Sequence, residues 1–195
     1  MTLHLDLLRH GETQAGPGFI GSTDTPLSER GLQQMRAAVA EGGPWDLLIS
    51  SPLSRCQAFA SELAERLGVP LRIEEDLREI CFGEWEGRNA AQILLEDPKG
   101  LEGFWNDPLH YTPPQAEALP AFIQRVETAV TRLADELAGQ RVLLITHGGV
   151  MRLLLAQARG LPEAQLLQVE VPHASLLGLR CVAGELSEVT PCRLC

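Results

Sequence analysis

Two short apolar runs, each broken by His-Gly, constrain this chain more than anything else in it. Leu3 to Leu8 lacks clean polar alternation and stops at Arg9-His10-Gly11, while Val142 to Thr146 stops at His147-Gly148-Gly149. Runs of that length without alternation read as strands buried on both faces, the signature of a parallel sheet covered by helices. Reactive side chains placed just after such strands lie at the carboxyl edge of an open α/β sheet, where those sheets bind ligands.

The text between them supports that layout. Ser28 is positioned to cap a helix over 29–41, with Leu32, Met35 and Val39 on one face and Gly42-Gly43-Pro44 as its stop. Leu47-Leu48-Ile49 predicts a second buried strand ending at Ser50-Ser51-Pro52. The spacing of Cys56, Phe59, Ala60, Leu63 and Leu67 predicts a helix over 52–67, closed by Gly68 and Pro70. Leu71-Arg72-Ile73 reads as a third strand, Leu119 to Leu137 as a long amphipathic helix, and Val150 to Arg159 as the helix after the second His-Gly. Leu167 to Val171 and Ser175 to Val182 read as closing strands. Strands alternating with helices give a three-layer α/β/α sandwich with a mostly parallel sheet. Residues 1–195 are expected to form a single domain with a lid-like insertion at about 89–117, carrying a short helix at Ala90–Glu96 and then Phe104, Trp105, Tyr111 and Pro113-Pro114.

Composition narrows the function. The 195 residues carry a net charge of −10, which argues against a general electrostatic footprint for nucleic acid or an anionic membrane. An anionic substrate must then be drawn in by a local cluster of cations. No apolar run reaches the ~20 residues of a membrane span, and the N-terminal residues lack a signal-peptide pattern, so a cytoplasmic protein is expected. Five cysteines at irregular spacing do not form a disulfide framework, and Cys192-Arg193-Leu194-Cys195 has no partner pair that would complete a metal site. Neither a metal nor a cofactor is expected.

In a parallel sheet the strand ends open on one edge, so Arg9, His10, Arg55 and His147 can converge there. Two guanidiniums with two imidazoles make an anion site, and phosphate suits it best, because Arg binds phosphate oxygens in bidentate fashion and stays charged. Arg55 falls in the first turn of its helix, where a cation opposes the helix dipole and calls for an anionic partner or an exposed position.

Leu8-Arg9-His10-Gly11-Glu12-Thr13 resembles the signature of the histidine phosphatase (phosphoglycerate mutase-like) superfamily. Later blocks agree in order: Asp24-Thr25-Pro26-Leu27-Ser28 with Gly31, Ser50-Ser51-Pro52-Leu53-Ser54-Arg55, Glu79 with Phe82-Gly83-Glu84-Trp85-Glu86-Gly87, and Thr146-His147-Gly148-Gly149. The resemblance implies that His10 is the nucleophile that becomes phosphohistidine. It implies a phosphate clamp of Arg9, Arg55 and His147, helped by Thr13 and the backbone of Gly148. It makes Glu79 the general acid for the leaving oxygen. Many members carry Asn six residues after the nucleophile, where this chain has Gly16; Ser22 or Thr23 is the candidate replacement donor. Phe59 stands where relatives often have Thr, a difference of packing.

The stretch between Arg55 and His147 is shorter than mutases of the superfamily carry, which favours a phosphatase. The loop from Gly16 to Ser22 and the stretch from Phe104 to Pro114 look like those of the α-ribazole phosphatases, which remove the 5′-phosphate of α-ribazole phosphate or of the cobamide carrying it. Phe104, Trp105 and Tyr111 would then either stack on the substrate base or only hold the lid together. A sugar-phosphate phosphatase or phosphoglycerate mutase is the alternative enzyme. A non-catalytic phospholigand-binding module is disfavoured because it would not need Glu79.

Overall fold

The computed structural model describes residues 2–192. Its six-stranded sheet has the order β3-β2-β4-β1-β5-β6, built from β1 (Thr2–Arg9), β2 (Leu47–Ser50), β3 (Leu71–Ile73), β4 (Arg141–Thr146), β5 (Leu176–Val182) and β6 (Glu185–Val189). The pairs β1–β4, β4–β2 and β2–β3 are parallel, whereas β5 runs antiparallel to β1 and β6 antiparallel to β5. The helices are α1 (Glu29–Ala38), α2 (Ser54–Leu67), α3 (Ala90–Glu96), α4 (Pro98–Asn106), α5 (Leu119–Glu136) and α6 (Gly148–Ala158).

Period-two alternation in the central strands divides the interior into two layers. Val142 and Leu144 of β4, with Leu3, Leu5 and Leu7 of β1, face α5 and α6. Leu143 and Ile145, with Leu8 and Leu48, face α1 and α2 around Met35, Phe59 and Leu63. Burying each such side chain contributes roughly 1.5–3 kcal/mol, so the strands that carry the chemistry are also the most firmly held. Phe59 is a core residue of the second layer, 1% exposed, and lies among apolar neighbours.

α1 begins as its sequence predicts, with the Ser28 hydroxyl accepting from the Gly31 N–H at 3.0 Å. Gly11 and Gly31 meet here at a distance no side chain tolerates: a Cβ on Gly11 would lie 2.2 Å from the Gly31 carbonyl oxygen. The backbone just after His10 is thereby pinned to α1.

The expected layout is corrected at four points. Leu167 to Val171 is not a strand; a 3-10 helix covers Glu163–Gln168, and Val169 and Val171 are buried without sheet partners. β6 is a strand the apolar pattern did not announce, and α4 is a second helix inside 89–117 where the text showed one. α1 stops at Ala38, before the predicted end at Glu41.

Among the described residues, Cys56, Cys81, Cys181 and Cys192 are free thiols, and no cluster of His, Cys, Asp and Glu could hold a metal ion. The Cys192 N–H donates to the buried Asp6 carboxylate at 3.2 Å, while the remainder of the Cys192–Cys195 motif lies outside the described residues. No described helix is long and apolar enough to cross a membrane.

Candidate active site

The carboxyl ends of β1, β4 and β2 deliver the predicted residues to one point. Arg9 and Thr146 are register partners, the His10 N–H donates to the Thr146 carbonyl at 3.0 Å, and the Ser51 N–H donates to the Ile145 carbonyl at 3.0 Å. His10 and His147 therefore emerge side by side, with ring centroids 5.3 Å apart and edge-on.

His10 is 5% exposed. Its Nδ1 lies 2.8 Å from the Gly11 carbonyl. A carbonyl can only accept, so Nδ1 carries the proton and Nε2 keeps a free lone pair. Burial, with the Arg55 and Arg9 guanidiniums and His173 nearby, pushes the His10 pKa down to about 3, against the opposing hydrogen bond to Gly11. The ring is thus neutral and nucleophilic across the ordinary pH range.

Arg55 and His147 are both fully buried. Arg55 donates through NH1 to the Thr23 carbonyl (2.8 Å), through NH2 to the Gly21 carbonyl (2.6 Å) and through Nε to His147 Nδ1 (3.3 Å). Arg55 is buried, so it does not take the exposed position open to a cation in the first turn of α2, and these partners are neutral oxygens and an imidazole rather than an anion. Because His147 Nδ1 accepts, its Nε2 carries the proton and donates to the Ser51 hydroxyl at 2.6 Å. Burial and the neighbouring His10 and arginines hold His147 well below the usual imidazole range.

Arg9 sits on the other side of His10. Its NH1 donates to the Val171 carbonyl, its NH2 reaches His173 Nε2 at 3.2 Å, and its buried Nε has no partner. A guanidinium N–H buried without an acceptor in an anion site is a docking point for a ligand oxygen. Burial lowers the Arg9 pKa to about 10, a value at which it remains charged at neutral pH.

Glu79, 7% exposed, accepts from the Ile80 N–H (3.0 Å) through one oxygen and the Gly149 N–H (2.9 Å) through the other. It shares with Arg9 a cleft of about 230 Å³ lined also by Phe19, Phe82, Phe104, Trp105 and Arg152. Gly148 is the first residue of α6, whose amino-terminal end favours an anion. Thr13 is half-buried and pairs through its backbone with Leu27.

The three aromatics singled out between residues 89 and 117 separate. Phe104 is buried within a cluster with Trp85 and Ile93, and it lines the cleft at one edge. Tyr111 stacks on Trp85 at 29° and donates to Asp97 at 3.3 Å, away from the cleft. Trp105 is 50% exposed and lies on the cleft wall. Gly16 occupies a left-handed turn with φ +73. Of the candidate replacement donors, the Ser22 hydroxyl is engaged with Cys81 and Glu86, and the Thr23 N–H with Glu86.

Sequence reasoning missed His173, Arg152 and Ser51 as parts of this site. His173 belongs to a loop before β5 and stands 5.6 Å from the His10 ring; burial and Arg9 lower its pKa to about 4. Arg152 comes from the second turn of α6, anchored by Nε to the Val169 carbonyl at 3.0 Å. The position of Arg152 one turn after His147-Gly148 is the signal that could have found it, because i and i+4 share a helix face.

Buried neutral imidazoles give stability a pH dependence of definite sign. Below pH 6.5 the unfolded chain protonates His10 and His147, and the folded chain does not until far lower, near pH 3 for His10. Stability is therefore expected to fall on acidification from pH 7 towards pH 4, by up to about 1.4 kcal/mol per pH unit for each buried imidazole. Urea midpoints at pH 7.5 and 5.5 measure this, and His10→Asn should flatten the slope. A midpoint unchanged down to pH 5 in the parent protein would show that the rings protonate in place.

The family model described as histidine phosphatase superfamily (branch 1) matches residues 5–190. The adenosylcobalamin/α-ribazole phosphatase of Escherichia coli is 35% identical over 173 residues, covering 87% of this chain and 85% of that protein. The glucosyl-3-phosphoglycerate phosphatase of Mycobacterium tuberculosis is 34% identical over 173 residues, 82% of this chain and 77% of that protein. The crystal structure of the α-ribazole phosphatase of Shigella flexneri superposes with a TM-score of 0.85 at 30% identity, covering 96% of this chain and 95% of that one.

Proposed function

The chain belongs to the histidine phosphatase superfamily, and on that premise we propose that it hydrolyses α-ribazole 5′-phosphate, or the cobamide 5′-phosphate, through a phosphohistidine. The observation that carries the chemistry is the His10 ring: neutral, protonated on Nδ1, its Nε2 free, and flanked by two buried guanidiniums.

In the first half-reaction His10 Nε2 attacks phosphorus in line with the ester oxygen, and the P–O bond breaks as the P–N bond forms. Arg9, Arg55 and the amino-terminal end of α6 at Gly148 hold the equatorial oxygens, with His147 fixing Arg55 and Thr13 bordering the clamp. Guanidinium charge in place before reaction is worth more here than in water, because Arg55 and His10 are buried. Glu79 gives its proton to the departing alkoxide. In the second half-reaction Glu79 takes a proton from water, water oxygen attacks phosphorus, and inorganic phosphate leaves with His10 restored. Positive charge comes from the arginines, so the scheme uses no metal.

The segment 89–117 acts as a cover, with α4 presenting Trp105 to the leaving group. Partial exposure on the cleft wall suits Trp105 to stack on a benzimidazole, whereas Phe104 and Tyr111 brace α4. The relative that acts on α-ribazole phosphate supports this choice of substrate.

A second reading is a phosphatase of sugar phosphates. Arg152 favours it, because a cation in the leaving-group cleft suits a hydroxyl-rich or carboxylated substrate. Side-by-side kinetics on α-ribazole 5′-phosphate, glucosyl-3-phosphoglycerate, 3-phosphoglycerate and glucose 6-phosphate decides between them. The first reading expects kcat/KM for α-ribazole 5′-phosphate at least about 100-fold above the rest, the scale set by several hydrogen bonds and a stacked ring. Comparable values across the panel would overturn it.

A further inference from the structure

Glu86 belongs to a motif shared with the superfamily, yet the mechanism above gives it no task. It follows the 3-10 turn Gly83–Trp85 and is only half-buried. Its carboxylate nevertheless gathers the backbone N–H groups of one short loop: Gly21 (3.0 Å), Ser22 (2.9 Å) and Thr23 (3.2 Å), together with Phe82 (2.9 Å). Burial alone would raise its pKa, but the donors of Phe82, Thr23, Gly21 and Ser22 outweigh it and hold the carboxyl below its ordinary value. The loop has been brought as close as the chain allows, since a Cβ on Gly21 would lie 2.0 Å from the Ile80 carbonyl oxygen and 2.5 Å from Glu86 Oε1.

The other side of this loop faces Arg55. The Gly21 and Thr23 carbonyls, on the same residues whose N–H groups Glu86 holds, are the acceptors of Arg55 NH2 and NH1. A guanidinium has five N–H donors in a fixed fork; these two carbonyls and His147 take three and set its plane, leaving two for a ligand. The Gly21–Ser22 peptide group is also polarised from both ends, with the Glu86 carboxylate at the Ser22 N–H and the Arg55 cation at the Gly21 carbonyl.

We infer that Glu86 is a positioning residue: by clamping the backbone of residues 21–23 it fixes the plane of the Arg55 guanidinium and so sets the affinity of the site for the phosphoryl group. The inference rests on the phosphatase reading for its consequence in turnover, but its test uses inorganic phosphate, the reaction product, as the probe.

Calorimetric titration of inorganic phosphate into the intact protein, Glu86→Gln, Arg55→Lys and the double variant gives the coupling directly. Glu86→Gln loses one accepting oxygen while keeping the shape, and phosphate affinity is expected to weaken roughly 10-fold, the scale of one charge-assisted hydrogen bond. KM should rise with it more than kcat falls. In the Arg55→Lys background the same change should cost less than about 2-fold, because the fork that the loop orients is already gone. Unchanged phosphate affinity in Glu86→Gln, or equal losses in both backgrounds, overturns the inference. Hydrogen exchange on the unmodified protein supplies the second measurement should the variant fail to fold. Phosphate should slow exchange of the amides of residues 21–23, and no change there also overturns it. A protein that binds phosphate with this coupling but hydrolyses nothing in the panel would instead defeat the phosphatase reading alone.

Discussion

His10→Ala is expected to remove the phosphoenzyme altogether and to lower kcat/KM by roughly 10⁴-fold or more, the loss typical of deleting a covalent nucleophile. The magnitude follows from what remains. With the imidazole gone, Arg9 and Arg55 still bind phosphate, so the affinity for inorganic phosphate should persist while turnover does not. Water replaces the nucleophile only poorly, because in the in-line scheme Glu79 stands on the leaving-group side of phosphorus, opposite the space that the ring leaves. Rapid quenching of the parent protein with labelled substrate should trap an adduct that survives base and is lost in acid, as expected of a phosphoramidate. The adduct should form at pH 5 as readily as at pH 7, since the ring stays neutral down to about 3. Turnover in the parent protein with no trapped adduct under any quench would replace His10 attack with direct attack by water.

The parts of this site that were legible in the sequence are those where strand and chemistry adjoin. Leu3 to His10 and Val142 to His147 announce both a buried strand and the residue at its end, and the parallel arrangement of β1, β4 and β2 brings those ends together. Arg55 was legible as a cation at a helix start in need of a partner, but its partners were not, because two of them are main-chain carbonyls of a loop more than thirty residues away. His173 and Arg152 escaped for a similar reason. Each acquires its place only when the loop before β5 and the helix α6 close over Arg9; His173 stands in no local pattern that marks it, and Arg152 is marked only by its position one turn after Gly148. The errors of fold have equally local causes. Leu167 to Val171 alternates apolar and polar residues because Val169 and Val171 pack into the layer under α5 and α6, and burial without pairing leaves the same trace in a sequence as a short strand. α4 contains Gly100 and Gly103, poor helix formers, and is held by the Asp97 cap on the Gly100 N–H and by the Tyr111 ring over Gly103. β6 is an edge strand with a polar sequence; its signal was the turn at Ala183-Gly184, where φ is 51 and 84, the pair of positive values that a tight hairpin requires.

Glu79→Gln should separate the two kinds of phosphomonoester, and the contrast carries more information than the loss itself. An amide occupies the same space and keeps an acceptor for Ile80 or Gly149, so the backbone of the site should be unchanged, but it has no proton to give a departing alkoxide. For α-ribazole 5′-phosphate or glucose 6-phosphate, whose leaving groups are alkoxides of high pKa, kcat/KM is expected to fall roughly 10²- to 10⁴-fold, the range of general acid catalysis. For p-nitrophenyl phosphate the leaving phenolate needs no proton, so the first step should be nearly unaffected. What then slows is the second step, because the same carboxylate activates the water. The variant should therefore release one equivalent of p-nitrophenol in a rapid burst and stop as phosphoenzyme, which makes the intermediate easiest to isolate where the acid is missing. Equal losses on both substrates without a burst would mean that Glu79 holds the site together rather than moving protons. The positive field of Arg9 beside Glu79 would then be its purpose, and the proton donor would have to be sought among the groups of the cleft wall.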